Sequence, residues 1–340
     1  MGNSCLVEMR RLQFIIIGAQ KAGTNWMHET LNRHPDIHMP SGEIAFFEDP
    51  DFSPNNTSLV DRLDQIEAGT LIGIHRTTYL GRPECAPRIS KLVPRVKLIA
   101  LLRNPMDRAI SAYYHLVRYG LLPWNDPNIV FDELLLNRFE PRYGRQILDF
   151  GRYGEALARY LDYFSSDQIL IISDSDLRSA ARSYGKACRF LGVSDSFLPP
   201  NLSERFNTGS YHWPILRSLN KLAPLQYQYD RHYGRVHRKS GFMAGFAQIA
   251  SNCLGKIERE LPDRRQAIQA MTIKQDLRTR LTDYYLADID LLTRLTGLNL
   301  DHWKNVPEPT HQMSISQVDL SPLMHPPVQC EANAGSSVNA

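Results

Sequence analysis

Lys21, Gly23 and Thr24 stand just after a run of four apolar residues, Phe14-Ile15-Ile16-Ile17, closed by Gly18. The run reads as a buried strand, and Gly23-Thr24 reads as the opening of a helix. A strand, a glycine-bearing turn and a helix N-terminus together make an anion cradle. The first N–H groups of the helix lack partners within it, and the helix dipole favours negative charge there. Ala22, Asn25 and Trp26 complete this turn and first helical residues. A nucleoside triphosphate loop reads G-x-x-x-x-G-K-[ST]. Gly18 and Gly23 keep that spacing, but Thr24 occupies the lysine position and the lysine stands at 21, inside the turn. The displacement argues against a nucleoside triphosphatase. Taken alone, the same residues also fit an ordinary strand-to-helix turn with a solvated lysine.

A second anion motif follows another apolar run, Lys97-Leu98-Ile99-Ala100-Leu101-Leu102. Arg103 closes this strand, at the end where open α/β sheets bind ligands. Pro105 suits the first turn of the helix that follows, and Asp107 and Ser111 share one of its faces. An arginine fork with a serine hydroxyl makes a phosphate clamp. A phosphatase or kinase metal site would favour an aspartate at this strand end, where the chain has Arg103.

The motifs K-x-G-T-x-W (residues 21–26) and R-N-P-x-D-R-x-x-S-x-Y (residues 103–113) resemble those of the sulfotransferases that use 3′-phosphoadenosine 5′-phosphosulfate (PAPS). The resemblance implies that the first motif holds the 5′-phosphosulfate and the second the 3′-phosphate. Gly42-Glu43-Ile44-Ala45-Phe46-Phe47 resembles a K-E-x-x-F-F segment of the carbohydrate sulfotransferases of the heparan sulfate type, which implies that Glu43 is the general base. Residues 277–303 look like the end of many bacterial members. Gly73-Ile74-His75-Arg76-Thr77-Thr78-Tyr79-Leu80 is similar to a family segment G-E-K-[ST]-P-x-Y-L, with His75 in place of a second active-site lysine and Thr77 in place of the proline. His75 is thus a rival base, a donor to the sulfuryl oxygens, or a buried structural histidine. Thr208, Gly209 and Ser210 fall where the family has a late loop over the nucleotide, and Tyr153 is placed near the nucleotide as well.

The chemistry so implied is sulfuryl transfer from PAPS to a hydroxyl or amine by in-line displacement, without a metal. The sulfuryl group carries less charge than a terminal phosphoryl group, so a lysine can take the role that magnesium has in kinases. Lys21 would stabilise the leaving 5′-phosphate, held by Thr24, Asn25 and the loop amides. Arg103 and Ser111 would grip the 3′-phosphate. The acceptor is read as a sugar, lipid or other small molecule: the E-x-x-F-F match leans to a sugar, whereas Tyr113-Tyr114-His115 resembles the branch that acts on phenols and alcohols. The alternatives are a P-loop nucleotide or metabolite kinase and a non-catalytic nucleotide-binding protein on the same scaffold.

These motifs need a framework that brings two strand ends together. Strands at 14–17, 98–102 and 168–172 alternate with helices at 24–33, 105–119, 155–164 and 177–191. That rhythm predicts α/β architecture, a central parallel sheet flanked by helices, and the resemblance implies the P-loop-kinase-like sulfotransferase fold. From about residue 213 the pattern turns helical, with Leu277, Leu281, Tyr284, Tyr285, Ile289, Leu292 and Leu295 at helical spacing. Residues 1–304 are expected to form a single sulfotransferase domain, and residues 305–340, rich in Pro, Ser, Asn and Ala, a disordered tail. With 43% hydrophobic residues the chain can build a large core. A net charge of +3 gives no case for nucleic acid. No apolar run is long enough to span a membrane, and the first residues lack a signal-peptide pattern. The five scattered cysteines fit reduced thiols in a cytoplasm. Golgi members of the family that the motifs resemble usually carry a membrane anchor, so the resemblance implies a cytoplasmic, bacterial enzyme.

Overall fold

The computed structural model describes residues 11–54, 69–139, 144–200, 212–229, 236–260 and 273–305, together with Leu59, Leu63 and Leu202. The first apolar run becomes β1 (Leu12–Gly18), followed by α1 (Thr24–Leu31) and a short β2 (Ile37–His38). Then come β3 (Leu71–His75), α2 (Cys85–Leu92), β4 (Lys97–Leu101) and α3 (Pro105–Arg118). Helices α4 (Pro127–Leu135), α5 (Gly144–Asp149) and α6 (Tyr153–Leu161) lead to β5 (Ile169–Ile172), α7 (Asp174–Leu177) and α8 (Ala180–Leu191). The later part is mainly helical: α9 (Trp213–Gln226), α10 (Phe242–Glu260), α11 (Gln275–Thr296) and α12 (Asp301–Lys304), with one antiparallel pair, β6 (Tyr227–Tyr229) and β7 (Val236–Arg238).

The five-stranded sheet has the order β2-β3-β1-β4-β5, and all its pairs are parallel. Parallel strands buried on both faces read as continuous apolar runs; Phe14, Ile15, Ile16 and Ile17 are each wholly buried. From β1 the chain proceeds to β2 and β3 on one side, and from β4 to β5 on the other. The strand order therefore reverses at the β1–β4 boundary, and the crevice beyond the C-terminal ends of these two strands is where such sheets bind ligands.

Sequence and structure differ in a few places, each for a local reason. The strand expected from residue 168 starts at Ile169, because Ser166–Gln168 is a 3-10 turn closed by a Ser165–Gln168 capping box. The helix expected over 177–191 divides into α7 and α8, with Ser179 capping the second through its side chain. Helix α6 begins at Tyr153, two residues earlier than expected. Its first N–H groups find an acceptor in α11: the Asp288 carboxylate accepts from Gly154 and Glu155, each at 2.9 Å. β3 has no counterpart among the expected strands. In α11 the apolar stripe is core at Leu277, Leu281, Tyr285, Ile289 and Leu292, whereas Leu295 is 37% exposed. The tail beyond residue 305 lies outside the described residues.

Candidate active site

The turn between β1 and α1 runs through three residues with positive φ: Gly18 at 144°, Lys21 at 68° and Gly23 at 95°. A Cβ at Gly18 would lie 2.9 Å from the Thr77 carbonyl oxygen and 3.1 Å from Leu80 Cβ, so glycine lets β1 turn directly against that segment. The Ala19 N–H donates to the Leu101 carbonyl at 2.8 Å, which ties the turn to the end of β4. Lys21 holds a left-handed conformation that costs a non-glycine residue about 1 kcal/mol, a strain that concentrates at functional positions. Helix α1 has no side-chain cap and no acidic residue in its first turn. Its N-terminal N–H groups are thus a donor set of the kind that binds anions. Ala22, Thr24 and Trp26 are buried, and the Trp26 indole donates to the Leu202 carbonyl at 3.3 Å. Asn25 is exposed and Lys21 half-buried. The side chains open at the turn are therefore those of Gln20, Lys21 and Asn25.

Arg103 lies in the short link between β4 and α3. Asn104 caps α3, accepting from the N–H groups of Met106 at 3.0 Å and Asp107 at 3.3 Å, with Pro105 in the first turn. Asp107, Ser111, His115 and Arg118 are the partly exposed positions of one stripe along this helix. The far end of the stripe reaches Lys21. Burial, reinforced by the charges of Arg103 and Arg118 and opposed by Glu43, lowers the Lys21 pKa to about 8. His115 is likewise held down to about 3 by burial, then by Lys21 and Arg118. Arg103, Arg118, His115 and Glu43 thus all converge on Lys21. Arg118 was missed by motif reading, and His115 was read only within the Tyr113-Tyr114-His115 match, although continuing the helical period from Ser111 would have placed both at the site. Arg118 also donates to the Glu258 carboxylate of α10 at 3.2 Å. Glu258 is buried and accepts from the His212 N–H at 3.1 Å.

Glu43 approaches from the other side of the turn. Its Oε2 accepts from Arg76 Nη1 at 2.8 Å and from the Thr77 hydroxyl at 3.1 Å. Arg76 is shared with Glu48, to which its Nε donates at 2.8 Å. His75 ends β3 opposite Ile16 of β1. It is 4% exposed, its Nδ1 has no hydrogen-bond partner, and its ring lies 4.1 Å from that of His28. Burial first, then His28 and Arg76, lower the His75 pKa to about 3. The cation bound to Glu43 is therefore supplied by Arg76, one residue after the histidine that stands at the lysine position. Tyr153 is buried beside the Arg103 backbone, and burial raises its phenol to about 12. Thr208, Gly209 and Ser210 lie outside the described residues.

Comparison with known proteins places the chain among sulfotransferases. The chain is 30% identical over 218 residues to the human bifunctional heparan sulfate N-deacetylase/N-sulfotransferase 2, a match covering 59% of this chain and 24% of that protein. It is 30% identical over 183 residues to the human heparan sulfate glucosamine 3-O-sulfotransferase 3B1, covering 53% of this chain and 46% of that one. The chain thus spans less than half the length of these curated relatives. In fold it is similar to a sulfotransferase from Alicyclobacillus acidocaldarius, with a TM-score of 0.59 at 23% identity over 86% of this chain and 99% of the other. The family model described as a sulfotransferase domain matches residues 11–215, more than half of the sequence. With the cradle, the Arg103 strand end and the sheet order in place, the chain belongs to the sulfotransferase domain family.

Proposed function

We propose that the chain transfers the sulfuryl group of PAPS to a hydroxyl or amine of a carbohydrate or other small acceptor. The observation that carries this reading is the placement of Lys21. It sits in a left-handed turn before an uncapped helix N-terminus, with Arg103 ending the neighbouring strand. That arrangement fits an anion flanked by cations and by backbone donors. Lys21, Asn25 and the amides of residues 22–26 would hold the 5′-phosphosulfate end, and Arg103 and Ser111 the 3′-phosphate. Tyr153 would support Arg103 from behind, and the segment with Thr208, Gly209 and Ser210 would close over the nucleotide.

In the transfer the acceptor oxygen or nitrogen bonds to sulfur while the bond from sulfur to the bridging phosphate oxygen breaks. Lys21 meets the negative charge that develops on the departing phosphate. Glu43 takes the acceptor's proton, with Arg76 and Thr77 fixing its carboxylate. His75 is a poorer base, since its pKa of about 3 lies far from the working range. We assign it to positioning the β3 end against α1. Arg76 takes over the charge of the second family lysine. The relatives' names point to heparan sulfate as their acceptor, and a sugar hydroxyl or amine is the first class to screen here. Among the described residues Cys85, Cys188 and Cys253 are unpaired, which suits a reducing compartment.

Calorimetric titration with 3′-phosphoadenosine 5′-phosphate, without magnesium and with ADP and ATP as controls, tests the donor. Binding that requires the 3′-phosphate supports the reading. Preference for ATP with magnesium overturns it.

A further inference from the structure

Helix α10 has its small residues inside and its large apolar residues outside. Toward α9 it presents Ala244 and Ala247, both buried, and Ser251, whose hydroxyl meets Gln226. Phe242 is 87% exposed, Phe246 60% and Ile249 66%, and Met243 and Ile257 are exposed as well. Phe242, Phe246, Ile249, Cys253 and Ile257 follow one another at intervals of three or four residues, so they form one stripe along the helix. A helix that served only the core would turn these side chains inward, and a contiguous apolar stripe on the surface marks an interaction site.

The charges around the stripe identify its partner. Arg238 and Lys239, just before the helix, are exposed. They border a recess with Ser240, Gly241 and Gly245 at the start of α10. Over residues 212–260, to the end of the helix, Lys and Arg outnumber Asp and Glu eight to three, whereas the whole chain has 39 against 36. A second copy docked face to face would set this basic segment against itself. An anionic lipid surface meets both features, since it attracts the cations and takes up the apolar side chains. No helix among the described residues is long and apolar enough to cross a membrane, and the apolar surface of α10 is one-sided, as in helices that lie in the interface plane.

We propose that α10, with Arg238 and Lys239, is a docking surface for an anionic membrane. Phe242, Met243, Phe246 and Ile249 enter the acyl boundary while the two cations meet lipid phosphates. The same helix carries Glu258, which holds Arg118 beside Lys21, so the docked element is joined directly to the cleft.

The test is co-sedimentation of the full chain with vesicles of phosphatidylcholine alone or mixed with phosphatidylglycerol. Partition into the anionic vesicles is expected, weakening as salt is raised. Phe242→Glu with Phe246→Glu should reduce it at least tenfold while the thermal midpoint and 3′-phosphoadenosine 5′-phosphate binding are kept. Arg238→Gln with Lys239→Gln should reduce it on the order of tenfold. As a check with the helix unaltered, a polarity-sensitive dye on the exposed Cys253, in a Cys5→Ser, Cys330→Ser background, should shift to the blue on anionic vesicles only. Absence of partition, partition unaffected by the Phe variants, or a concentration-dependent dimer abolished by Phe246→Glu would overturn the proposal.

Discussion

Arg76 donates to Glu43 at 2.8 Å and, through its Nε, to Glu48 at 2.8 Å, so one guanidinium holds two carboxylates of different standing. Glu43 is partly exposed at the cleft, whereas the Glu48 side chain is 9% exposed. Glu43→Gln should therefore act on chemistry alone. We expect kcat to fall about 100-fold to 10,000-fold, the range for loss of a general base, with nucleotide affinity and thermal midpoint retained. Arg76→Ala should lower kcat and also destabilise the fold by about 1–3 kcal/mol, because the buried Glu48 loses its nearest cation and keeps only the Thr78 hydroxyl and the more distant Arg82 at 4.0 Å. Steady-state kinetics beside denaturant melts would separate the two effects. Equal destabilisation by both variants would show that Glu43 is only a structural partner of Arg76.

Lys21 provides a proton-linked signature. Its pKa is lowered to about 8 from 10.5, by burial and then by Arg103 and Arg118. Between those values the folded protein binds fewer protons than the unfolded chain, so this group makes stability rise with pH across that window. A bound nucleotide adds negative charge and restores the protonated form. At pH 8.5 binding should take up roughly three-quarters of a proton, and close to none at pH 6.5. Calorimetry of 3′-phosphoadenosine 5′-phosphate binding in buffers of different ionisation heat would measure the uptake, and Lys21→Met should abolish it. Binding heats independent of the buffer at pH 8.5 would place Lys21 away from the phosphates.

His75 sets an acid limb. Its pKa is about 3 against the ordinary 6.5, through burial, then His28 and Arg76. The unfolded chain therefore binds a proton that the folded one refuses between those values. Stability is complete above about pH 6.5 and declines as pH falls toward 3, with a slope of up to about 1.4 kcal/mol per pH unit from this group. His115 adds a second limb of the same sign, also depressed to about 3. His75→Asn should flatten the dependence of the urea midpoint on pH by about one proton's slope between pH 6 and 4. An unchanged slope would mean that His75 protonates freely in the fold.

What could be read from the sequence was what is fixed locally. The turn from Gly18 to Gly23 and the helix start at Pro105 depend on backbone conformation, and residue type reports that directly. The histidine in place of a family lysine was legible as a departure, but its consequence was not. His75 ends a strand and turns into the α1 contact, while Arg76, the next residue, reaches Glu43. Arg118 and Glu258 are 140 positions apart, and no periodicity relates them. β3 was obscured because Gly73 interrupts its apolar run, and its place in the sheet is decided by β1, far away in the chain.

That glycine gives the last prediction. Gly73 pairs with Phe14 across β1 and β3, and a Cβ on Gly73 would lie 2.1–2.4 Å from atoms of the Phe14 ring. The ring covers the glycine, so the gap in the apolar run of β3 is filled from the neighbouring strand. Gly73→Ala should destabilise the protein by about 1–3 kcal/mol through overpacking. It should also lower transfer activity, because Arg76, which holds Glu43, directly follows β3. Phe14→Leu alone should cost about 1–3 kcal/mol as a cavity. Together the two changes should cost less than their sum, since the smaller side chain makes room for the new methyl group. Urea melts of the four proteins in this cycle measure the coupling. Strict additivity would show that the ring and the glycine do not share the space that the structure gives them.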